Sequence, residues 1–119
     1  VSGMPTLQFS LTAVMELVHE GALTIEQLVQ KMCHAPATLY QIKNRGFIRP
    51  GYQADLVLVN PTKVWTVNND CILSKCGWSP MEGQTFHSKV VKTFANGHIV
   101  YDGQQVDTDY RGQALAFDR

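Results

Sequence analysis

Histidines are the side chains of this chain best suited to metal or acid–base chemistry, and their spacing decides what they can do. They form neither an H-x-H nor an H-E-x-x-H pattern, and no carboxylate-rich cluster accompanies any of them. We therefore interpret each as a structural residue, at the surface or at a helix end. The histidines are His19, His34, His87 and His98. The sequence predicts no catalytic residue and no metal ligand within these 119 residues.

The three cysteines favour reduced thiols over a disulfide framework. Their number is odd, and Cys33, Cys71 and Cys76 show no framework spacing. Cys71 and Cys76 lie too far apart for the C-x₂₋₄-C zinc spacing, and no His-x₃₋₅-His pair follows them. We predict free, mostly structural cysteines and a cytoplasmic protein.

Composition narrows the class of protein. The chain has 119 residues, the size of one domain but too short for a (β/α)₈ barrel, which needs about 250. Apolar residues make up 45% and charged residues 17%, as in globular proteins. The net charge is zero with no basic tract, which argues against nucleic acid, and no apolar run approaches a bilayer span. The start at Val1 predicts a piece of a longer reading frame.

The first half of the sequence has helical periodicity. Apolar residues recur at helical spacing from Gln8 to Glu20, and Gly21 ends that predicted helix. The segment Thr24–Gln27 fits a capping box and predicts a second, antiparallel helix from Ile25 to about His34. Pro36 predicts a further, separate helical turn.

The second half has the pattern of strands. The continuous apolar run Leu56–Val59 predicts a central strand, and Val64–Val67 a second one. Asn96-Gly97 predicts a hairpin between strands 89–95 and 98–101, whereas residues 68–86 and the tail are predicted to be irregular. Apolar runs on several strands imply further strands from elsewhere in the protein or from another subunit. The core anchors predicted from their type are Trp65, Phe94 and Tyr101.

Six features in order resemble cyclic amidohydrolases. The pattern Gly-x-Ile-x-Pro-Gly-x-x-Ala-Asp-Leu-Val-Leu, residues 46–58, resembles the point where that family's chain leaves its catalytic barrel for a β-sandwich. The other matching features are Ser2–Pro5, the two predicted helices, Pro36-Ala37, Ser79–Gly83 and the hairpin Val90–Tyr101. The Ser-Gly-Met-Pro start and Trp78–Gly83 most resemble dihydroorotases.

This resemblance implies a composite α+β fold. Residues 1–44 would form a helical hairpin from the end of a (β/α)₈ barrel, residues 45–106 part of a composite β-sandwich, and residues 107–119 a C-terminal tail. The chain would be the C-terminal part of a hydrolase that interconverts dihydroorotate and N-carbamoyl-aspartate in pyrimidine biosynthesis. The zinc ligands, the rest of the barrel and the missing strands would lie upstream, so the chain alone would be inactive. A homo-oligomer is left open.

The resemblance also points to one substrate-binding segment. Ser2, Gly3, Met4 and Pro5 resemble a loop at the barrel mouth whose backbone groups help to hold the pyrimidine ring in dihydroorotases. Thr6–Phe9 departs from the usual Gly-Leu-Glu-Thr that follows, and a frayed terminus is the alternative. Cys33 stands where an Asp-His-Ala-Pro motif would have its metal-binding aspartate, so His34 is not predicted to be a ligand.

Three other functions remain open at this stage. The first is a dihydropyrimidinase, hydantoinase or allantoinase type of cyclic amidase. The second is a non-catalytic amidohydrolase-like scaffold subunit that has lost its metal. The third is a binding domain unrelated to hydrolases, which would have to fold alone without an exposed apolar sheet face.

Overall fold

The computed structural model of the protein describes residues 3–119. The chain forms two compact units, and each takes one segment from the helical half and one from the strand-rich half. Unit 1 comprises residues 3–23 and Asn60–Lys89, and unit 2 comprises Thr24–Val59 and Val90–Arg119. The helices are α1 (Ser10–His19), α2 (Ile25–Val29), a π-helical turn (Gln30–His34) and α3 (Ala35–Leu39), with 3₁₀ turns at Leu7–Phe9 and Asn69–Cys71. The strands are β1 (Leu56–Asn60), β2 (Trp65–Thr66), β3 (Thr85–Phe86), β4 (Lys89–Ala95) and β5 (His98–Tyr101).

Helix α1 ends where the sequence predicts. The Gly21 N–H donates to the Val18 carbonyl at 3.1 Å, and the Ala22 N–H donates to the Leu17 carbonyl at 2.9 Å. These two bonds form a Schellman motif, which satisfies carbonyls left free at a helix end. Gly21 has φ +79°, a conformation that glycine adopts without the steric cost of a Cβ.

Aromatic side chains form the core of unit 1. Phe9, Val67 and Phe86 are buried, and Trp65 packs against them. The Phe9 and Phe86 rings are stacked with centroids 6.4 Å apart, and the Trp65 indole N–H donates to the Ser88 carbonyl at 2.7 Å. Trp65 is therefore a core anchor, as predicted. Phe94 and Tyr101 are half-buried in unit 2.

The helix that begins after Thr24 is longer than the sequence predicts. Its capping box is confirmed, because the Thr24 hydroxyl accepts from the Gln27 N–H and the Gln27 side chain accepts from the Thr24 N–H. It does not stop near His34, however, but continues through a π-helical turn into α3. In that turn the Ala35 N–H donates to the Gln30 carbonyl. This wider turn directly precedes Pro36, whose ring and missing N–H would disrupt regular α-helical bonding.

The three-stranded sheet confirms the hairpin and corrects the position of β1. Strands β4 and β5 have the predicted bounds, are antiparallel, and are joined by Asn96-Gly97. The strand order is β1-β4-β5, so β1 is an edge strand of this sheet and the prediction of a central strand is wrong for this chain. Val57 and Leu58 on β1 are 45% and 50% exposed. An apolar run marks a strand that requires cover on both faces, but it does not say that the same chain provides that cover.

Two further differences concern short segments. The second predicted strand contains only Trp65–Thr66, and it pairs antiparallel with Thr85–Phe86, inside the stretch predicted to be irregular. The C-terminal tail is a loop, as predicted, and it contacts this chain itself. The Lys43 N–H donates to the Ala116 carbonyl at 2.8 Å, and the Asp118 N–H donates to the Gln41 carbonyl at 2.9 Å.

The secondary structure is thus α+β, with short helices and two small sheets. In the part of the chain that the structure describes, no helix is long and apolar enough to cross a membrane.

Candidate functional site

The predicted substrate loop lies at the start of unit 1. Ser2 is outside the described residues, whereas Gly3 and Met4 are exposed and Pro5 is half-buried. Met4 is 68% exposed, and its carbonyl accepts from the Thr6 N–H at 3.0 Å. Gly3 has open space where a Cβ would lie. The loop therefore offers backbone groups and an apolar side chain, and it contains no titratable group.

A buried serine joins this loop to the Ser79–Gly83 segment. The Ser79 hydroxyl donates to the Pro5 carbonyl at 2.9 Å and accepts from the Met81 N–H at 3.2 Å. The Glu82 N–H donates to the Ser79 carbonyl at 3.1 Å, as in a β-turn, which proline and glycine in this segment favour. Two segments that resemble dihydroorotases, 74 residues apart at Pro5 and Ser79, are thus in contact.

Gln8 makes a second connection that the sequence did not reveal. Its side-chain amide donates to the Cys71 carbonyl at 2.6 Å, and its side-chain oxygen accepts from the Leu73 N–H at 2.9 Å. These partners are 63 and 65 positions away, so neither periodicity nor local turn chemistry indicates them. The only signal was the departure of Thr6–Phe9 from the family pattern.

Two histidines and a glutamate form a polar cluster elsewhere in unit 1. The His87 ring Nδ1 lies 2.8 Å from Glu16 Oε1, and the His87 N–H donates to Glu16 Oε2 at 2.9 Å. His19 Nε2 lies 2.9 Å from the Ser88 hydroxyl, and the two imidazole centroids are 6.0 Å apart. Ser88 is 0% exposed, so its hydroxyl is inaccessible to a substrate from solvent.

The Glu16 carboxylate is stabilised in its charged form. Partial burial raises its pKa, but the hydrogen bonds from the His87 ring and backbone N–H together lower the pKa by more than burial raises it. The pKa of Glu16 therefore lies below its ordinary value of 4.5. A carboxylate with a lowered pKa remains charged at neutral pH and is a poor general acid or base there.

The remaining histidines have structural partners in unit 2. His34 stacks on Phe47 with centroids 4.2 Å apart. His98 Nε2 lies 2.7 Å from Asp107 Oδ2, and its ring stacks on Tyr110 at 4.3 Å. The hydrogen bond from His98, followed by that from the Asp109 N–H, holds the pKa of Asp107 below its usual range. Both histidines therefore have packing or hydrogen-bonding partners within unit 2.

The described residues do not fit a zinc centre. Between residues 3 and 119, no group of three or more His, Cys, Asp or Glu side chains could hold a metal ion. Cys33, Cys71 and Cys76 are free thiols, as predicted.

The Asp55 carboxylate connects separate segments of unit 2. Asp55 pairs with Arg45 through one oxygen and accepts the Asn96 N–H at 2.8 Å through the other. The Gly97 N–H donates to the Ala54 carbonyl at 3.0 Å. The two family-like segments Ala54-Asp55 and Asn96-Gly97 therefore bind each other, which assigns them a structural role.

Comparison with known proteins decides the family. Residues 3–100 match the sequence profile of the Amidohydrolase family. The chain belongs to the amidohydrolase family. The resemblance drawn from the sequence motifs is therefore confirmed at this level.

This amidohydrolase chain is similar to dihydroorotases. It is 32% identical to the dihydroorotase of Pyrococcus horikoshii over 114 residues, which are 96% of this chain and 27% of that protein. It is 42% identical to the dihydroorotase of Clostridioides difficile over 102 residues, covering 85% of this chain and 24% of that protein.

A solved structure resembles this amidohydrolase chain as well. The L-hydantoinase (dihydropyrimidinase) of Arthrobacter aurescens matches with a TM-score of 0.83 and 28% identity, over 89% of this chain and 24% of that one. The chain thus spans about a quarter of the length of the relatives that it matches.

Proposed function

We propose that the full-length protein carrying this chain is a dihydroorotase. It would reversibly hydrolyse the ring amide of dihydroorotate to N-carbamoyl-aspartate, a step of pyrimidine biosynthesis, in the cytoplasm. The observation that carries this proposal is the similarity to curated dihydroorotases, which extends over nearly the whole chain. The contact of Pro5 with Ser79 supports it, because it joins the two segments that most resemble dihydroorotases.

The proposal includes the position of the chain in that enzyme. Residues 1–44 would be the last helices of a (β/α)₈ barrel, residues 45–106 part of a β-sandwich, and residues 107–119 the tail. Exposed apolar side chains on β1 support further strands contributed from outside this chain. The zinc ligands would likewise come from other parts of the protein.

This chain's own contribution would be to substrate binding. Ser2, Gly3, Met4 and Pro5 would line the mouth of the barrel, where the backbone groups of an exposed loop can hydrogen-bond the polar edge of a cyclic amide. The loop has no group that can accept a proton, so it would orient the ring and leave proton transfer to other residues.

A second candidate is a cyclic amidase for hydantoins or dihydropyrimidines. The structural match to a protein titled L-hydantoinase (dihydropyrimidinase) favours it. It differs from the first candidate in the substrate, because dihydroorotate carries a carboxylate that hydantoin and dihydrouracil lack.

The test compares three preparations with dihydroorotate as substrate. These are the full-length protein with zinc, the same protein after chelation, and the 119-residue chain alone with zinc. We expect turnover from the first only, since this chain provides no metal-binding group within residues 3–119. Turnover by the chain alone would overturn the assignment of its role. A full-length protein that retains no metal and shows no turnover would instead be a scaffold subunit.

A further inference from the structure

The side chain of Gln8 makes hydrogen bonds of the kind that a neighbouring strand would make. Its amide group donates to the Cys71 carbonyl at 2.6 Å and accepts from the Leu73 N–H at 2.9 Å. Both the donor and the acceptor of one carboxamide are used on the same backbone segment. Alanine at this position would remove both hydrogen bonds.

Ser79 makes a second contact, at the other end of the stretch from Pro5 to Gln8. Its hydroxyl donates to the Pro5 carbonyl at 2.9 Å, and its side chain is held in place by the Met81 N–H. Ser79 is only 5% exposed, so without this bond its hydroxyl would be buried with no acceptor for its proton. The stretch from Pro5 to Gln8 is therefore attached at both ends to residues 71–79.

We infer that Gln8 and Ser79 are positioning residues for substrate binding. Through them, residues 71–79 fix where the Gly3–Pro5 loop presents its backbone groups to a cyclic amide. Neither side chain touches the reacting atoms, and both act through the loop. This inference rests on the proposed function, which places that loop at the substrate.

The first readout is independent of activity. In the full-length protein, Gln8→Ala and Ser79→Ala are compared with wild type and with Thr66→Val by hydrogen exchange over residues 3–9. Thr66→Val is a matched control, because it removes the 2.9 Å hydrogen bond between the Thr66 and Thr85 hydroxyls in the same unit. We expect exchange about fivefold to tenfold faster in the two variants and unchanged in the control. Unchanged exchange in both variants would overturn the inference that these side chains hold the loop in position.

The second readout is the kinetics of hydrolysis of dihydroorotate. A loop that only orients the ring should contribute to binding, so we expect KM to rise about fivefold to tenfold in each variant, with kcat within about twofold. Thr66→Val should leave both constants unchanged. A KM in Gln8→Ala and Ser79→Ala equal to that of the control would overturn the inference while leaving the proposed function intact. Wild-type protein without turnover of any cyclic amide would overturn the proposed function, and the positioning role with it.

Discussion

At the scale of single residues, Asp55 is a carboxylate whose role becomes clear only from its partners. In the sequence it belongs to the Ala-Asp-Leu-Val segment that resembles cyclic amidohydrolases, and its residue type alone assigns it no partner. In the structure its two oxygens bind Arg45 and the Asn96 N–H. Each of its two oxygens thus has a structural partner.

Replacing this carboxylate should weaken the fold. Asp55→Asn removes the charge that pairs with Arg45 and substitutes an amide group for one acceptor. We expect a loss of about 1–3 kcal/mol in the free energy of unfolding of the full-length protein, measured with urea. Asp70→Asn, at an exposed aspartate for which residues 3–119 show no ion pair, is the control. Equal stability of the two variants would contradict the role assigned to Asp55.

Glu16 should make stability depend on pH in the acidic range. Its folded-state pKa lies below the ordinary value of 4.5, so the stabilisation is present above that pH and is lost as the pH falls through the lower folded value. Glu16→Gln should therefore be less stable than wild type by about 1 kcal/mol at pH 7, and the difference should vanish towards pH 3. Urea unfolding at pH 7, 5, 4 and 3 measures it. Glu82→Gln, at an exposed glutamate, is the control, and a difference that persists unchanged to pH 3 would refute the assignment.

At the scale of elements, Gly46 allows the chain after α3 to pass close to the helix. A Cβ built on Gly46 would lie 2.4 Å from the Ala37 Cβ and 2.9 Å from the Cys33 carbonyl oxygen, and the residue has φ +85°. Backbone conformation and close packing thus both require glycine here. The contact joins the π-helical turn and α3 to the start of the family-like segment at residues 46–58.

Gly46→Ala should therefore cost more than a comparable change in a glycine that has only the conformational requirement. Gly21→Ala is the matched control, because Gly21 also has positive φ but has open space around it. We expect about 1 kcal/mol of destabilisation for Gly21→Ala and roughly 2–5 kcal/mol for Gly46→Ala. Thermal and urea unfolding of the two variants measure this difference. Similar losses in both would show that packing at Gly46 is looser than the structure indicates.

Elements with a local signal were predictable from the sequence, and those determined by distant contacts were not. The capping box at Thr24 and the hairpin at Asn96-Gly97 depend on neighbouring residues, and both are confirmed. The π-helical turn before Pro36 depends on a helix that continues where its local sequence favours a stop. The two hydrogen bonds of the Gln8 side chain join residues more than 60 positions apart. The sequence therefore predicted the loop but not the contacts that hold it.

At the scale of the whole molecule, the exposed apolar side chains are the feature that this chain does not explain alone. Leu58 on edge strand β1 is 50% exposed, and Ile48 in the preceding segment is 88% exposed. Exposed apolar surface of this kind is typical of an interface. It agrees with our proposal that other parts of the full-length protein complete the sandwich.

A lysine on β1 tests this proposal. If other strands cover the sheet in the full-length protein, Leu58→Lys buries a charge and should cost about 3 kcal/mol or more of stability. Thr62→Lys, in the exposed turn after β1, is the control and should be within about 0.5 kcal/mol of wild type. A full-length protein that tolerates Leu58→Lys equally well would show that this strand faces water, contrary to the composite sandwich.

The selectivity of the full-length protein between two cyclic amides tests the central claim most directly. Dihydroorotate and dihydrouracil share the ring amide and differ in the carboxylate, so the ratio of their kcat/KM values separates the two candidate activities. A site that binds the carboxylate should reject the analogue without it, and we expect dihydroorotate to be preferred by at least about a hundredfold. A preference for dihydrouracil or hydantoin would contradict the dihydroorotase assignment and make the protein a dihydropyrimidinase-type amidase.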